Sequence, residues 1–337
     1  PRLRLIIFPA LVGLMPMPGG ALFSCPMLDA AAHGLNLSPQ RKTLINYWFR
    51  HIWELAWPLY PGYILVSSLL NLPLLTILLY TSPLVLLALF TGIFFYLRDV
   101  GQGHVPPRQT HAGDGEKSTA RALRTVCYEA LPIIITIGGA AVFGLIFRKF
   151  APSWPSQAAF IASLACALTV AIFQGRGRMS KPLAAVALNK NILGLVLLVF
   201  VIYVFKNVIV SSGIVAQLSG ISQSRALMYS LFILLPMLCG MLTGVMVGYV
   251  GASFPILLGI LNEAGLQEQA LPLVVVAMVS GNVGQLATPL HVCMAVTLDY
   301  FKVQFVEIWR SLVPPLLVQI TYGVLWSLAL FFMGARF

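Results

Sequence analysis

Charge is what this sequence has least of. Only 9% of its 337 residues are Asp, Glu, Lys or Arg, and only 10 are acidic. A soluble domain carries about 25% charged residues, so a water-facing shell cannot cover most of this chain. Cysteine is also sparse. The five, Cys25, Cys127, Cys166, Cys239 and Cys293, stand apart, with no C-x-x-C spacing, mostly within apolar runs. They read as small buried hydrophobes rather than a disulfide frame or a metal set. No signal-peptide pattern opens the chain, which begins at Pro1. No cofactor motif stands out, and neither a cofactor nor a metal is expected.

What is present is apolar length. Hydrophobic residues make up 59% of the chain, in runs such as Leu74–Leu97, Ala158–Phe173, Ile192–Val210 and Leu312–Met333. About 20 apolar residues cross a bilayer, so an all-α polytopic membrane protein is predicted, with the lipid bilayer as its partner. The net charge of +11 then belongs to the positive-inside rule and gives no reason to expect nucleic acid.

Proline and glycine interrupt this pattern in two places. "LMPMPGGALFSCP" (Leu14–Pro26) carries Pro16, Pro18, Gly19, Gly20 and Pro26 inside an oily stretch. "GYVGASFP" (Gly248–Pro255) echoes "GGALFSCP": at an offset of 229, Gly19 falls on Gly248, Ser24 on Ser253 and Pro26 on Pro255. A second break follows in each half, "WPLY" around Pro58 and "TPLH" around Pro289. Each half reads as a re-entrant hairpin, a broken helix and a final span. Tips are expected at Gly19–Ser24 and Gly248–Ser253. Broken backbone at membrane depth is tolerated only inside protein or beside a watery cavity. Paired interrupted helices are the best sequence pointer to a transporter site.

Starting the first hairpin on the cytoplasmic side puts fifteen of the 21 Lys and Arg in inside loops and five outside. The two halves are therefore expected to be inverted. Residues 1–97 are read as a first repeat that is incomplete at its N-terminus, 98–124 as a cytoplasmic linker, and 125–337 as a second repeat with three extra spans. Symmetry predicts about three spans, on the order of 80–100 residues, before Pro1. His104 and His111 in the linker read as solvated.

The stretches "PALVGLMPMPGGALFSCPML" and "LINYWFRHIWELAWPLYPGYIL" resemble the membrane family catalogued as domain of unknown function 401, and "GNVGQLATPLHVCMAVTLDYF" resembles its C-terminal signature. The resemblance covers nearly the whole chain. That family is grouped with the ion-transporter superfamily of citrate, dicarboxylate, gluconate and arsenite carriers. The grouping implies an inverted-repeat, elevator-type carrier, usually a homodimer, with two re-entrant hairpins and two broken helices around one solute. Sodium-coupled dicarboxylate relatives carry Ser-Asn-Thr at the hairpin tips. Here neither Ser24 nor Ser253 is followed by Asn and Thr, which counts against sodium coupling by that route.

"NYWFRHIWELAWP" is the stretch richest in chemistry. Asn46, Arg50 and Glu54 are four apart and are expected to share one helix face; His51 lies beside Arg50. Glu54 falls about 15 Å beyond Leu44, near the middle of a roughly 30 Å core. Ionisable groups at that depth are functional candidates by default. Arg50 is expected to attract an anion and Glu54 to carry the coupling proton, unless they form an ion pair that only fixes packing. The tips add Gly19, Gly20, Ser24, Gly248, Gly251 and Ser253, through helix N-termini and hydroxyls; the second break adds Asn282, Thr288, Pro289 and His291. Back-bonding of the serines to their own helices is the simpler alternative.

The expectation is a secondary active transporter of a small anionic solute, an organic carboxylate, working by an elevator mechanism with a proton or a cation as coupling partner, the proton favoured over sodium. Its location is expected to be a bacterial or archaeal inner membrane. An intramembrane hydrolase using Ser253 and His291, and a carrier or channel for cations or neutral solutes, are the competing classes.

Overall fold

The computed structural model describes residues 2–17, 19–100, 115–150, 153–154, 157–175, 190–213 and 224–334. Among these are thirteen α-helices, two 3₁₀ turns and no strand. Seven helices are long and apolar enough to cross a membrane, and the chain is a membrane protein. His104 and His111 lie outside the described residues. Residues 115–124, expected in the linker, are helical instead. Ala120, Arg121, Ala122 and Leu123 are good helix formers, and their propensity outweighs the polar composition.

Two compact units divide the chain. They do not follow the expected repeat boundaries. One gathers Pro1–Leu70, Thr76–Val105 and Val201–Phe337; the other gathers Asn71–Leu75 and Pro106–Phe200. In the smaller unit α6 (Gly115–Phe150) packs on α7 (Gln157–Gly175). The approach is close at Gly139, where an added Cβ would lie 2.9 Å from Ser163. The Gln174 side chain donates to the Tyr128 carbonyl oxygen at 2.6 Å.

The larger unit runs through one order of elements twice. First come α1 (Arg2–Gly13), a break, α2 (Ala21–Ala31), α3 (Pro39–His51), a 3₁₀ turn (Ile52–Leu55), a second break, α4 (Pro61–Leu70) and α5 (Leu74–Leu97). After α8 (Lys190–Ser211) come α9 (Arg225–Thr243), a break, α10 (Met246–Glu263), α11 (Ala270–Leu286), a second break, α12 (Val292–Phe301) and α13 (Phe305–Phe332). The expected breaks at Pro58 and Pro289 both fall between helices. Pairings also correspond: α1 lies on α3 as α9 lies on α11, while α2 packs on α12 and α10 packs on α4. This exchange of second arms is why residues from both ends of the chain form one body.

Two expectations about the hairpins need correction. The first break is at 14–20, where Gly19 has φ +75. Ser24 is already in the helix that follows. The second break lies at Gly244, not at Gly248. Gly244 is left-handed (φ 63) and caps α9 through its N–H to Gly240, a conformation that glycine takes without steric penalty. Gly248 and Ser253 lie within α10, whose first turn already holds Gly248. The arms also differ: α1 and α2 have 12 and 11 residues, but α9 and α10 have 19 and 18, each long enough to cross a membrane by length alone.

All residues of α11, from Ala270 to Leu286, are buried, as expected of a helix apolar on every side at the centre of a bundle. Small residues allow α9 to approach it. A Cβ on Gly284 would lie 2.0 Å from the Met237 carbonyl oxygen, and one on Gly240 would lie 2.3 Å from that of Gly281. Close backbone approach through small residues is how helices associate in lipid, where tails are as apolar as Leu.

Gly284→Ala should therefore lower the thermal midpoint of the detergent-solubilised protein, by an overpacking cost of about 1–3 kcal/mol. Gly144→Ala, where nothing lies within 4 Å of the added carbon, is the control. Equal midpoints for the two variants would show that the α9–α11 crossing is not set by this contact.

Candidate functional site

The site begins with the way α3 ends. Ser38 caps the helix by accepting from the Arg41 N–H at 3.2 Å, and Pro39 occupies the first turn. Thirteen residues later the helix tightens into the 3₁₀ turn and stops; Ala56 has left helical backbone at φ −168 and ψ 74. Pro58 in the break has no N–H to continue the ladder. The polar side chains thus collect where backbone bonding gives out.

Aromatic donors repair the neighbouring backbone. The end of α1 offers carbonyls to side-chain donors, Ala10 O in addition to its bond from Leu14 N. Trp53 Nε1 donates to Ala10 O at 2.9 Å, Trp57 Nε1 to Leu14 O at 2.9 Å, and the Tyr60 hydroxyl to Gly13 O at 2.8 Å. The Tyr63 hydroxyl donates to Leu55 O at the end of the 3₁₀ turn. The two tryptophans thus act as anchors through their N–H groups.

Arg50 is 3% exposed. Its Nη2 donates to Met17 O in the first break at 3.0 Å, and its Nη1 to Cys293 Sγ in α12 at 2.9 Å. Gly20 makes the first approach possible, since a Cβ there would lie 2.2 Å from Nη2. Glu54 turns elsewhere. Its Oε2 accepts from Gln285 Nε2 at 2.7 Å and Asn282 Nδ2 at 3.1 Å, both on α11, while Asn282 Oδ1 accepts from Gln319 Nε2 of α13 at 2.6 Å. No ion pair joins Arg50 to Glu54. The 3₁₀ turn between them changes the residues per turn, so four-residue spacing no longer means a shared face. The structural ion pair expected as the alternative is not formed.

His51 and His291 meet between these groups. Their Nε2 atoms are 2.8 Å apart. His51 Nδ1 lies 2.5 Å from Tyr47 O, and His291 Nδ1 lies 2.5 Å from Gly244 O in the second hairpin break. Glu54 Oε1 is 3.9 Å from His51 Nε2. One histidine ends the first half of a broken helix; the other caps α12, the second half of the other.

The sequence pattern described as Protein of unknown function (DUF401) matches residues 3–330. The chain belongs to that family. Among curated proteins and solved structures, none matches it.

In this DUF401 chain the structure assembles part of the expected site. Gly20, Arg50, His51, Glu54, Asn282 and His291 come together. Asn46 is one turn away, where its Nδ2 is 3.2 Å from both Cys25 Sγ and Thr297 Oγ1. Ser24 is fully buried with its hydroxyl unpartnered. Others fall outside the cluster. Ser253 donates to Tyr249 O of its own helix at 2.6 Å, the simpler alternative, and its Oγ is not paired with His291. Gly248 faces Thr243, and Gly251 faces Ile202 of α8. Thr288 Oγ1 accepts from Leu290 N within the break at 3.3 Å, and Pro289 is exposed. Pro58 and Gly19 shape their breaks.

Four participants were not foreseen: Met17 through its carbonyl, Gly244, Gln285 and Cys293. Gln285 had a signal. It follows Asn282 by three in an otherwise apolar helix, so the two amides share a face. Gly244 had one too, as a glycine closing an apolar helical run. Met17 O and Cys293 had none, because main-chain acceptors and small apolar thiols leave no mark in composition.

His51, His291 and Cys293 offer donor atoms within 4.8 Å of one another. Their geometry suits a hydrogen-bonded cluster better than a metal. Two nitrogens on a tetrahedral zinc stand about 3.3 Å apart, wider than 2.8 Å, and the Cys293 sulfur already faces a guanidinium.

Gln285→Leu should remove one of the two donors to the Glu54 carboxylate. A hydrogen bond to a charged group is worth about 1.5–3 kcal/mol, and unfolding in detergent micelles should register that loss. An unchanged midpoint would mean that this amide does not hold the carboxylate.

Proposed function

We propose that this protein is a secondary active transporter of a small anionic solute, an organic carboxylate, working by an elevator mechanism with proton rather than sodium coupling. The observation carrying the reading is the state of Arg50. A guanidinium buried among helix breaks is expensive unless it serves a purpose, and here its Nε has no partner. Ser24 Oγ on α2 and Asn46 Oδ1, one turn earlier on its own helix, are likewise unpartnered. Native proteins rarely leave buried polar groups unpaired. A carboxylate would accept from the guanidinium and from the Ser24 hydroxyl.

Further support comes from the fold. Interrupted helices in two corresponding halves mark solute sites in secondary transporters, and the larger unit repeats its order of elements around this cluster. The asymmetric Lys and Arg distribution supports opposite insertion of the halves. Separation into two compact units suits a mechanism in which one body carries the solute and another is fixed. Membership of the ion-transporter superfamily and a homodimeric assembly belong to the same proposal. The hydrolase reading has no comparable support. Ser253 is bonded to its own helix, and both nitrogens of His291 face other partners.

Thermal-shift screening of citrate, succinate, gluconate and arsenite against purified protein, followed by uptake of the stabilising anion into proteoliposomes, tests the assignment. Arg50→Gln should raise the half-saturating concentration at least about tenfold, equivalent to about 1.4 kcal/mol. Arg50→Lys should not restore it, because a lysine lacks the planar fork. Unchanged half-saturation in Arg50→Gln, or saturable uptake of cations only, would overturn the reading.

A further inference from the structure

We propose that His51 and His291 share a single proton between their Nε2 atoms, and that this proton, rather than one on Glu54, is the coupling ion. The second part rests on the carrier reading above.

The first part follows from donor counting. A carbonyl oxygen only accepts, so each Nδ1 that meets one must carry a hydrogen. His51 Nδ1 faces Tyr47 O and His291 Nδ1 faces Gly244 O. In a neutral imidazole with a hydrogen on Nδ1, Nε2 is a bare lone pair. Two neutral rings would therefore oppose two lone pairs at 2.8 Å. One additional proton turns that repulsion into an N–H···N hydrogen bond of ordinary length.

Arg50 indicates where the proton resides. Its Nη1, which only donates, lies 3.3 Å from His51 Nε2 and nearer, at 2.9 Å, to Cys293 Sγ; this longer approach to the single lone pair favours His51 as the acceptor and His291 as the carrier of the additional hydrogen. Other titratable groups surround the pair. Tyr47 of α3 meets both rings, tilted against His51 and edge-on to His291, with centroids at 4.7 and 5.7 Å. Glu54 Oε1 approaches from the 3₁₀ turn and Cys293 lies on α12, while the Tyr60 hydroxyl is engaged with Gly13 O. Glu54 is the acid nearest to the shared proton, and its two amide donors suit it to act as a fixed counter-charge.

Coupling follows from position. The proton joins the first broken helix to a histidine bonded to the second hairpin break. Losing it restores lone-pair repulsion at that junction and loosens Gly244 from His51. Gaining it adds positive charge beside Arg50 and strengthens anion binding; by linkage, a bound anion strengthens proton binding equally. Uptake should therefore accelerate as the donor side is acidified.

The test has one arm that needs no solute. [15N]Histidine spectra of the purified full chain should show one doubly protonated imidazole coupled through an N–H···N bond to a neutral ring. Both signals should disappear in His51→Gln and in His291→Gln. Should neither variant fold, the wild-type spectrum alone decides. Two neutral rings protonated only at Nδ1 would overturn the shared proton. So would stoichiometric Zn²⁺ binding that Cys293→Ser abolishes. The second arm loads proteoliposomes with a pH-sensitive dye and offers citrate, succinate or gluconate. Proton entry should accompany anion uptake in wild type, and the number of protons per anion should fall in His291→Gln. Uptake without proton entry in wild type would overturn the coupling role. So would loss of proton entry in Glu54→Gln with the histidine spectrum intact. No uptake of any of the three anions would remove the carrier reading and the coupling role with it, leaving the spectrum to decide the shared proton.

Discussion

Backbone that stops being helical inside an apolar medium must find hydrogen-bond partners within the protein. Most of this structure answers that constraint. α1 ends at Gly13, and carbonyls at its end are capped by Trp53, Trp57 and Tyr60, residues that flank the break in the other helix. The carbonyl of Met17 in the following break receives Arg50. The carbonyl of Gly244, where α9 stops, faces His291. The break after α1 and the one at Gly244 are thus stabilised by side chains gathered at or beside the breaks of the other helices. The breaks therefore cannot lie apart, and the polar side chains that satisfy them cannot avoid one another.

Glycine controls how closely this happens. Gly13 permits α1 to lie on the Arg50 carbonyl, with only 2.1 Å to where a Cβ would be, and Gly20 admits the guanidinium itself. On the other side, Gly240 and Gly284 bring α9 against α11, and Gly281 admits the Tyr249 ring of α10; α11 holds Asn282 and Gln285 opposite Glu54. A methyl group at any of these positions would push a charged or amide group away from its partner. Packing and polar chemistry share the same few positions. The glycine content here thus has consequences for the cluster as well as for the helices.

The buried charges are arranged so that neither Arg50 nor Glu54 neutralises the other directly. Arg50 relies on a carbonyl, a sulfur and the His51 ring nitrogen, and Glu54 on two amides that reach it from α11. Partners of this kind stabilise charge without cancelling it. The two histidines occupy the space between. A direct Arg–Glu pair would have been a simpler way to hold two ionic groups in lipid. The observed arrangement leaves the guanidinium Nε unpaired and the histidines in contact.

The sequence by itself determined the medium, the helical class, the two broken helices and the chemistry at the end of α3. Sparse charge and long apolar runs need no tertiary information to imply a bilayer, and Pro58 and Pro289 mark where a helix can break, although Pro83, Pro236 and Pro255 lie inside helices that continue. Tertiary structure decided the rest. Gly244 rather than Gly248 makes the second break, because only one of two glycines four apart can take the left-handed cap, and context selects it. The 3₁₀ turn separates Glu54 from Arg50, which spacing by four could not foresee. Ser253, prominent in the repeat, satisfies itself on its own helix, whereas Cys293 and the Met17 carbonyl, without any sequence signal, become partners of the buried arginine. His51 and His291 are 240 residues apart, and their contact exists only because the second arm of each hairpin packs on the other half's broken helix. Local rules fix where a chain can break; only the packed fold fixes which broken ends meet.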